Sequence, residues 1–324
     1  MPKIKYRDVN FSADKLELIE RANRVIAKYQ AEGFSLTLRQ LYYVFVANDL
    51  FPDGWKYEHL GSNKWTRSPN GTKNAPPNYS ALGDIVSDAR MAGLIDWLAI
   101  VDRSRSSYAN QHFAKPSEII GVAKRSYAID KWKTQPCHVE VWVEKEALED
   151  VLERACTPLD VRYFACKGYT SQSAMWEASQ RLLAKAQAGK QVHVVHLGDH
   201  DPSGIDMSRD IFERLSLFVG TKVHVLRVAL NMVQVRHYNP PPNPAKVTDS
   251  RFAEYQKKFG DESWELDALE PRVLVDIVTR AVTQYRDQTL WDAAVEEERR
   301  GRKTLDAVHE RFPEIVKFLK GERK

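Results

Sequence analysis

Residues 192–201 read Val-His-Val-Val-His-Leu-Gly-Asp-His-Asp, an apolar run that ends in two acids. A short apolar run between polar stretches is typical of a strand that is buried on both faces. Similar runs occupy residues 139–143, 161–165 and 223–228, and stretches with helical periodicity separate them at 146–155, 172–188 and 205–218. This alternation predicts an α/β fold with a parallel sheet that is covered by helices on both faces.

The residues on either side of this region predict two further units. Helical periodicity at 12–30, 38–48 and 80–92, followed by a strand-like run at 94–101, predicts an N-terminal winged helix-turn-helix. An irregular stretch at 51–79, rich in Gly, Asn and Pro, interrupts it. Behind a Pro-rich segment at 239–245, helices are predicted at 271–284 and 290–308. We therefore divide the chain into an N-terminal domain at 1–137, a sheet domain at 138–235 and a helical extension at 236–324 that packs on the sheet domain.

The composition is that of a globular protein. Of the 324 residues, 43% are hydrophobic and only 15 each are Gly and Pro, which excludes collagen-like and disordered chains. No apolar stretch is long enough to span a membrane and none resembles a signal peptide, so we expect a cytoplasmic protein. Three cysteines, Cys137, Cys156 and Cys166, fit no zinc pattern and are expected to be reduced, buried thiols.

Charge is distributed unevenly along the chain. Residues 1–137 carry 20 Lys and Arg against 14 Asp and Glu, a net charge of +6, and the remainder carries 28 against 30, a net charge of −2. A basic front part and a mildly acidic back part suggest that one binds a polyanion and that the other binds a ligand attracted by carboxylates.

Acids follow two of the predicted strands at the point where each ends. Glu144 follows the run at 139–143, and Asp199 and Asp201 follow the run at 192–197. The carboxyl ends of parallel strands meet at one edge of a sheet, where three carboxylates would repel one another unless a cation lay among them. Oxygen ligands without His or Cys favour Mg²⁺, which often completes its shell with phosphate oxygens. The alternative is that these acids only cap helices and form turns.

These acids resemble the Toprim domain of topoisomerases, primases and some nucleases. The resemblance consists of a lone Glu in the run Val-Glu-Lys-Glu at 143–146 and of an Asp-x-Asp after a later strand. Gly168-Tyr169 and the run Asp-His-Asp-Pro-Ser-Gly-Ile-Asp at 199–206 are similar to the A subunit of topoisomerase VI and to its meiotic double-strand-break relatives. The tail at 231–271, with the runs at 246–251 and 264–269, resembles short phage and plasmid relatives of that subunit. That family implies a nucleophilic tyrosine on an upstream winged helix.

A matching tyrosine lies in the second predicted helix. Residues 37–43 read Thr-Leu-Arg-Gln-Leu-Tyr-Tyr, similar to the family's Arg-x-x-Tyr-Tyr pattern, in which the second tyrosine attacks DNA. Helix geometry places Tyr42 on the apolar face, and Arg39 and Tyr43 beside each other on the polar flank. A phenol is a weak nucleophile at neutral pH, so a neighbouring Arg that holds the scissile phosphate would assist it. The alternative is an exposed Tyr with an Arg stacked on it.

The resemblance implies Mg²⁺-dependent cleavage of double-stranded DNA by a homodimer. The tyrosine of one subunit would act with the metal site of its partner and stay bound to a 5′-phosphate, and Glu144 would be a metal ligand or the general acid and base. The family's topoisomerase works with an ATPase B subunit, which would be a separate chain because no phosphate-binding loop motif occurs here. Two rivals are a Toprim nuclease that uses activated water and a non-catalytic winged-helix DNA-binding protein.

DNA would need a path of positive charge along the protein. Basic residues that are candidates for phosphate contacts are Arg39, Lys64, Arg67, Arg90, Arg103, Arg105, Lys246 and Arg251. The alternative for each is an ordinary solvated or salt-bridged charge.

Overall fold

A computed structural model describes residues 3–61, 64–101, 110, 112–220 and 223–321. Its centre is a four-stranded parallel sheet with the order β4–β3–β5–β6, formed by β3 (Cys137–Val143), β4 (Arg162–Ala165), β5 (Gln191–Leu197) and β6 (Val223–Ala229). In the register of the two central strands, Val143 lies opposite Leu197. The predicted α/β fold with a parallel sheet is therefore confirmed.

Helices cover both faces of the sheet. The helices between the strands are α5 (Glu149–Cys156), α6 (Gln172–Gln187) and α7 (Pro202–Val219), and α8 (Met232–Tyr238) and α10 (Pro271–Thr283) follow β6. On one face, Val139, Val141 and Val143 pack against α5 and α10. On the other, Trp142 and Val194 pack against α6 and α7. Because successive side chains of a strand point to opposite faces, the two central strands bury residues on both sides of the sheet and are mostly apolar.

Three helices before the sheet form a separate apolar cluster. They are α1 (Ala13–Ala31), α2 (Leu38–Ala47) and α3 (Pro76–Met91). Thr37 and Gln40 form a capping box that fixes the start of α2. Two departures from the prediction occur here. Helix α3 begins at Pro76, before residue 80, and the stretch at 51–79 contains a hairpin of β1 (Tyr57–His59) and β2 (Trp65–Arg67).

The prediction of a strand at 94–101 is wrong. Its only β contact is a single parallel bridge between Leu36 and Ile100. The buried carboxylate of Asp96 accepts hydrogen bonds from Gln30 and from the backbone N–H of Leu98, which turns the chain. This local hydrogen bonding competes with the extended conformation that the apolar residues favour.

The C-terminal part packs against both earlier regions. Its other elements are β7 (Asn243–Pro244), α9 (Phe252–Phe259), β8 (Glu262–Ser263), α11 (Gln288–Glu310) and α12 (Phe312–Leu319). Helix α11 packs on α4 (Pro116–Ser126), and Gln135 exchanges two hydrogen bonds with the backbone of Asp287. Helices were predicted at 271–284 and 290–308, and α10 and α11 confirm them.

All three cysteines are free thiols. Cys156 and Cys166 are buried as predicted, whereas Cys137, at the start of β3, is only half-buried. Within the described residues, no helix combines the length and the apolar character that crossing a membrane requires.

Candidate active site at the carboxyl edge of the sheet

Glu144 and Asp199 lie side by side at the carboxyl edge of the sheet. Glu144 directly follows β3, and Asp199 lies two residues beyond the end of β5. The backbone N–H of Asp199 donates a hydrogen bond of 2.9 Å to Oε2 of Glu144. Asp201 lies at the start of α7, where its Oδ1 accepts hydrogen bonds from the backbone N–H of Gly204 at 2.6 Å and from Ser203 Oγ at 2.9 Å. Asp201 is therefore a helix cap, the alternative that the sequence left open.

A segment from the C-terminal part adds two acids to this edge. His200 and Trp264 form an antiparallel bridge through two backbone hydrogen bonds of 2.8 and 3.0 Å. Glu265 and Asp267 follow Trp264, and the backbone N–H of Leu266 donates to Oδ1 of Asp199 at 2.8 Å. The bridge therefore sets both new acids beside the loop that follows β5.

Asp199, Glu265 and Asp267 form the cluster that could hold a metal ion, and we call it the acidic triad. One ligand oxygen from each lies within 4.8 Å of the others. Among the described residues, this is the only group of its kind. The predicted set of Glu144, Asp199 and Asp201 thus shares only Asp199 with the triad, because Glu144 binds the backbone of Asp199 and Asp201 caps α7.

Two cationic side chains contact the triad. Lys145 Nζ lies 2.9 Å from Oδ2 of Asp199 and 3.0 Å from Oδ1 of Asp267, and it also contacts Glu265. Arg39 reaches across from α2, with Nη2 2.8 Å from Oε1 of Glu265 and Nε 3.0 Å from Oδ2 of Asp267. These contacts tie the first helical cluster to the edge of the sheet.

Acids outnumber cations at this edge. The acids are those of the triad, Glu144 and Asp201, and the cations that act on them are Arg39, Lys145 and Arg227, so among the described residues acidic groups exceed basic groups by two. Burial raises the pKa of Asp199 well above its ordinary range, against the pull of Lys145. Burial also raises the pKa of Glu144. Burial opposes ionisation of Glu265 as well, but Lys145 and Arg39 hold its pKa below the usual value.

The triad fits a hard divalent cation. Its ligands are all carboxylate oxygens, which Mg²⁺ and similar ions prefer. Oδ2 of Asp267 is buried and lies near Arg39, yet no donor is aligned to make a hydrogen bond with it. A buried carboxylate oxygen without a hydrogen bond is costly, and a bound cation would satisfy it.

Tyr43 was predicted to lie beside Arg39 on the polar flank of α2; it lies beside Arg39, but it is buried. Its side chain is 4% exposed, because Ala268 and Leu269 of the C-terminal part lie over that side of α2. Its phenol oxygen accepts hydrogen bonds of 3.4 Å from Arg39 Nη2 and from Asn243 Nδ2. Burial raises the pKa of Tyr43 to about 12; Glu265 and Asp267 add to this shift and Arg39 opposes it. Tyr42 lies in the apolar cluster as predicted.

Tyr43 and two acids at the carboxyl edge of the sheet, Asp201 and Glu265, open onto a common cleft; we call the acids at this edge the acidic edge. The cleft has a volume of about 870 Å³. Tyr43 and Arg39 line it from α2, Asp201 and Glu265 from the acidic edge, and Lys246 from the segment after β7. The β1–β2 hairpin closes another side with His59 and Trp65, whose rings lie 4.8 Å apart. A phenol, a guanidinium and carboxylates of one chain thus face the same space.

Apart from Arg39, which pairs with the triad, the predicted DNA-contacting residues fall into three groups. Lys64, Arg67 and Lys246 are exposed, and Lys246 lines the cleft. Arg90 instead donates to the carbonyl of Trp97 and stacks on its ring, and Arg251 pairs with Asp206 and Asp249. Both arginines therefore have partners within the protein; for Arg251 these are salt bridges, one of the alternatives given for it, and a DNA contact by either residue stays a prediction. Arg103 and Arg105 lie outside the described residues.

Arg227 and Gly204 hold the loop that carries Asp199. The half-buried guanidinium of Arg227, on β6, donates to the carbonyl oxygens of Gly198, Asp199 and Gly204 at 2.6–2.9 Å. A Cβ at Gly204 would lie 2.3 Å from the carbonyl oxygen of Asp199 and 3.0 Å from Oε2 of Glu144, so only glycine fits there.

Sequence reasoning missed Lys145, Glu265 and Asp267 as site residues. The two acids alternate with apolar residues in the run Trp-Glu-Leu-Asp-Ala-Leu at 264–269, and this alternation is the sequence pattern that could have indicated them.

No protein-family model matches the chain, and no curated protein or solved structure matches it either.

Proposed function

We propose that this chain is a divalent-cation-dependent DNA-cleaving enzyme in which Tyr43 is the nucleophile. The observation that carries the proposal is the common cleft, which one chain lines with Tyr43, Arg39 and carboxylates of the acidic edge. The resemblance of residues 37–43 and 199–206 to the A subunit of topoisomerase VI supports it. In this proposal the sheet is a Toprim domain and the first helices are a winged helix.

The reaction is a transesterification at phosphorus. The bond from Tyr43 Oη to phosphorus forms, the bond from phosphorus to the 3′-oxygen breaks, and the proton lost by the phenol is balanced by the one that the 3′-oxygen gains. Arg39 donates to Tyr43 Oη and thereby stabilises negative charge on it as the proton leaves. Asn243 donates to the same oxygen and orients the ring.

The acidic triad would hold Mg²⁺, with Glu144 positioning Asp199 through its backbone N–H. When bound, Mg²⁺ supplies positive charge that offsets charge developing on a phosphodiester. Lys246 on the cleft wall contributes a phosphate contact. Double-stranded DNA is the proposed substrate, and a homodimer would cut both strands. Because Tyr43 and the carboxylates of one chain line the same cleft, we propose that Tyr43 acts with the cation site of its own chain.

A second candidate is a nuclease in which water attacks. The observation that favours it is the burial of Tyr43: the side chain is 4% exposed, and burial raises the pKa of the phenol from 10 to about 12, so the phenol ionises less readily than an exposed one. Tyr43 would then serve only to hold Arg39 and Asn243.

One experiment separates these functions. The full chain is incubated with supercoiled DNA and Mg²⁺ and denatured with detergent, and the DNA ends are examined for covalently attached protein. We expect adducts at 5′ ends that disappear in Tyr43→Phe and persist in the matched control Tyr79→Phe, which removes a phenol oxygen from the same cleft. Hydrolytic ends that persist in Tyr43→Phe identify the nuclease. Intact DNA under all conditions rejects cleavage and leaves binding alone.

A further inference from the structure

Lys145 occupies an unusual position within the acidic triad. It directly follows Glu144, in extended backbone, and its side chain is 19% exposed. Its ammonium contacts all three carboxylates, namely Asp199 at 2.9 Å, Asp267 at 3.0 Å and Glu265. The ammonium donates hydrogen bonds to Glu265 and Asp267 and forms an ion pair with Asp199.

A divalent ion and this ammonium cannot share the triad. The carboxylates that contact Lys145 are the same three whose oxygens lie close enough to bind one ion. An ion at the usual distance of about 2.0–2.6 Å from these oxygens would lie where Nζ now lies, and the two positive charges would repel strongly.

We propose that Lys145 is a built-in counter-cation of the triad, which a divalent ion must displace in order to bind. This inference rests on the divalent-cation site of the proposed function, and it adds that the Lys145 ammonium competes with the divalent ion for the same carboxylates. Without a divalent ion, Lys145 neutralises the acids and keeps them together. With one, the side chain withdraws, so the affinity for the ion is lower than the carboxylates alone would give.

Arg39 does not play the same part. It contacts Glu265 and Asp267 but not Asp199, and its side chain is 44% exposed at the cleft. It can therefore keep both contacts from the side while an ion occupies the centre of the triad. Lys145 alone among the described residues contacts all three acids with one atom.

The test is direct titration of the full chain with Mn²⁺, in which free Mn²⁺ is measured by electron paramagnetic resonance without any DNA. Lys145→Met keeps the length of the side chain and removes its charge, and we expect it to bind Mn²⁺ at least tenfold more tightly than the unaltered chain. Lys145→Arg keeps the charge and should not tighten binding. Lys190→Met is the matched control, because Lys190 is also held in place, by backbone carbonyls at the opposite end of β5.

Equal affinity of Lys145→Met and the unaltered chain would overturn the inference. If Lys145→Met folds only when Mn²⁺ is present, as judged by circular dichroism, the ion replaces the ammonium and the inference stands. If it stays unfolded at every Mn²⁺ concentration, the ion cannot take that place and the inference falls. DNA cleavage is not measured here, so a chain that cleaves no DNA can still show this competition, and a chain that cleaves DNA can lack it.

Discussion

Arg39 Nη2 on α2 lies 2.8 Å from Oε1 of Glu265, and this ion pair joins the first helical cluster to the segment that follows β8. The same guanidinium contacts Asp267, whose side chain is 1% exposed. The phenol oxygen of Tyr43 also accepts a hydrogen bond from Arg39. One side chain therefore links the candidate nucleophile to the candidate cation site.

Arg39→Met should lower the free energy of unfolding by about 1–3 kcal/mol. It removes one of the two cations that pair with the buried carboxylate of Asp267 and leaves only Lys145, and the partial exposure of Arg39 reduces the cost below that of a fully buried pair. Urea unfolding without divalent ions measures this loss. Arg24→Met, an exposed position on α1, is the control and should change stability by less than about 0.5 kcal/mol. An equal effect of the two substitutions would contradict the bridging role of Arg39.

Gly204→Ala should weaken binding of Mn²⁺ and lower stability by about 1–3 kcal/mol. The new Cβ would overlap the carbonyl of Asp199, so the loop that carries this acid has to move. Gly54→Ala is a matched control, because its Cβ would meet nothing within 4 Å. Calorimetric titration with Mn²⁺ compares the two variants. Unchanged affinity in Gly204→Ala would show that the loop tolerates the shift.

Tyr255→Phe tests the support beneath His200. The hydroxyl of Tyr255, on α9, lies 2.9 Å from His200 Nδ1, 3.0 Å from the carbonyl oxygen of His200 and 2.9 Å from that of Glu262. Its loss leaves buried polar groups without a partner, so we expect a cost of about 1–3 kcal/mol, measured by thermal unfolding. Hydrogen exchange should also become faster at the N–H groups of His200 and Trp264, which pair in the bridge. Exchange rates that match the unaltered chain would exclude this anchoring role.

Acid should destabilise the fold through His196. This side chain is buried on β5, with Nδ1 2.8 Å from Ser208 Oγ, and burial lowers its pKa from 6.5 to about 3. The unfolded chain takes up a proton near pH 6.5 and the folded chain does not, so the stability is complete above that pH and falls as the pH drops toward 3. The slope from this one group is about 1.4 kcal/mol per pH unit.

Urea unfolding at pH 7, 6 and 5 measures this slope. His196→Asn should reduce it by about 1.4 kcal/mol per pH unit below pH 6, whereas His237→Asn, at an exposed position of α8, should leave it unchanged. If both variants keep the slope of the unaltered chain, other groups govern acid unfolding.

The sheet could be predicted from the sequence because its strands are buried on both faces. Runs such as 192–197 are mostly apolar and end at polar residues, so their bounds are visible. The meeting of Glu144 with Asp199 follows from adjacent parallel strands. The residues at 94–101 are as apolar as those of a strand, but the buried carboxylate of Asp96 accepts a hydrogen bond from the backbone and turns the chain. Hydrophobic periodicity carries no information about such a hydrogen bond.

The contacts of Lys145, Glu265 and Asp267 and the burial of Tyr43 could not be predicted, because they arise from contacts between segments that are distant in sequence. On α2 alone, Tyr43 lies on the polar flank, and only the packing of residues 266–269 buries it. Glu265 and Asp267 join Asp199 through the backbone bridge between His200 and Trp264, and neither of these residue types indicates such a pairing. The role of Lys145 was hidden for the same reason, since its partners are distant in sequence.

Because the bridge between His200 and Trp264 joins an early segment to a late one, the acidic triad can form only after residues 264–267 have been synthesised. During synthesis on the ribosome, the tyrosine helix and all four strands emerge before the residues that complete the triad. A prematurely terminated product that ends before residue 260 would carry Tyr43, Glu144 and Asp199 yet lack two of the three carboxylates. Such a fragment would be unable to assemble the cation site, because only Asp199 of the triad would be present.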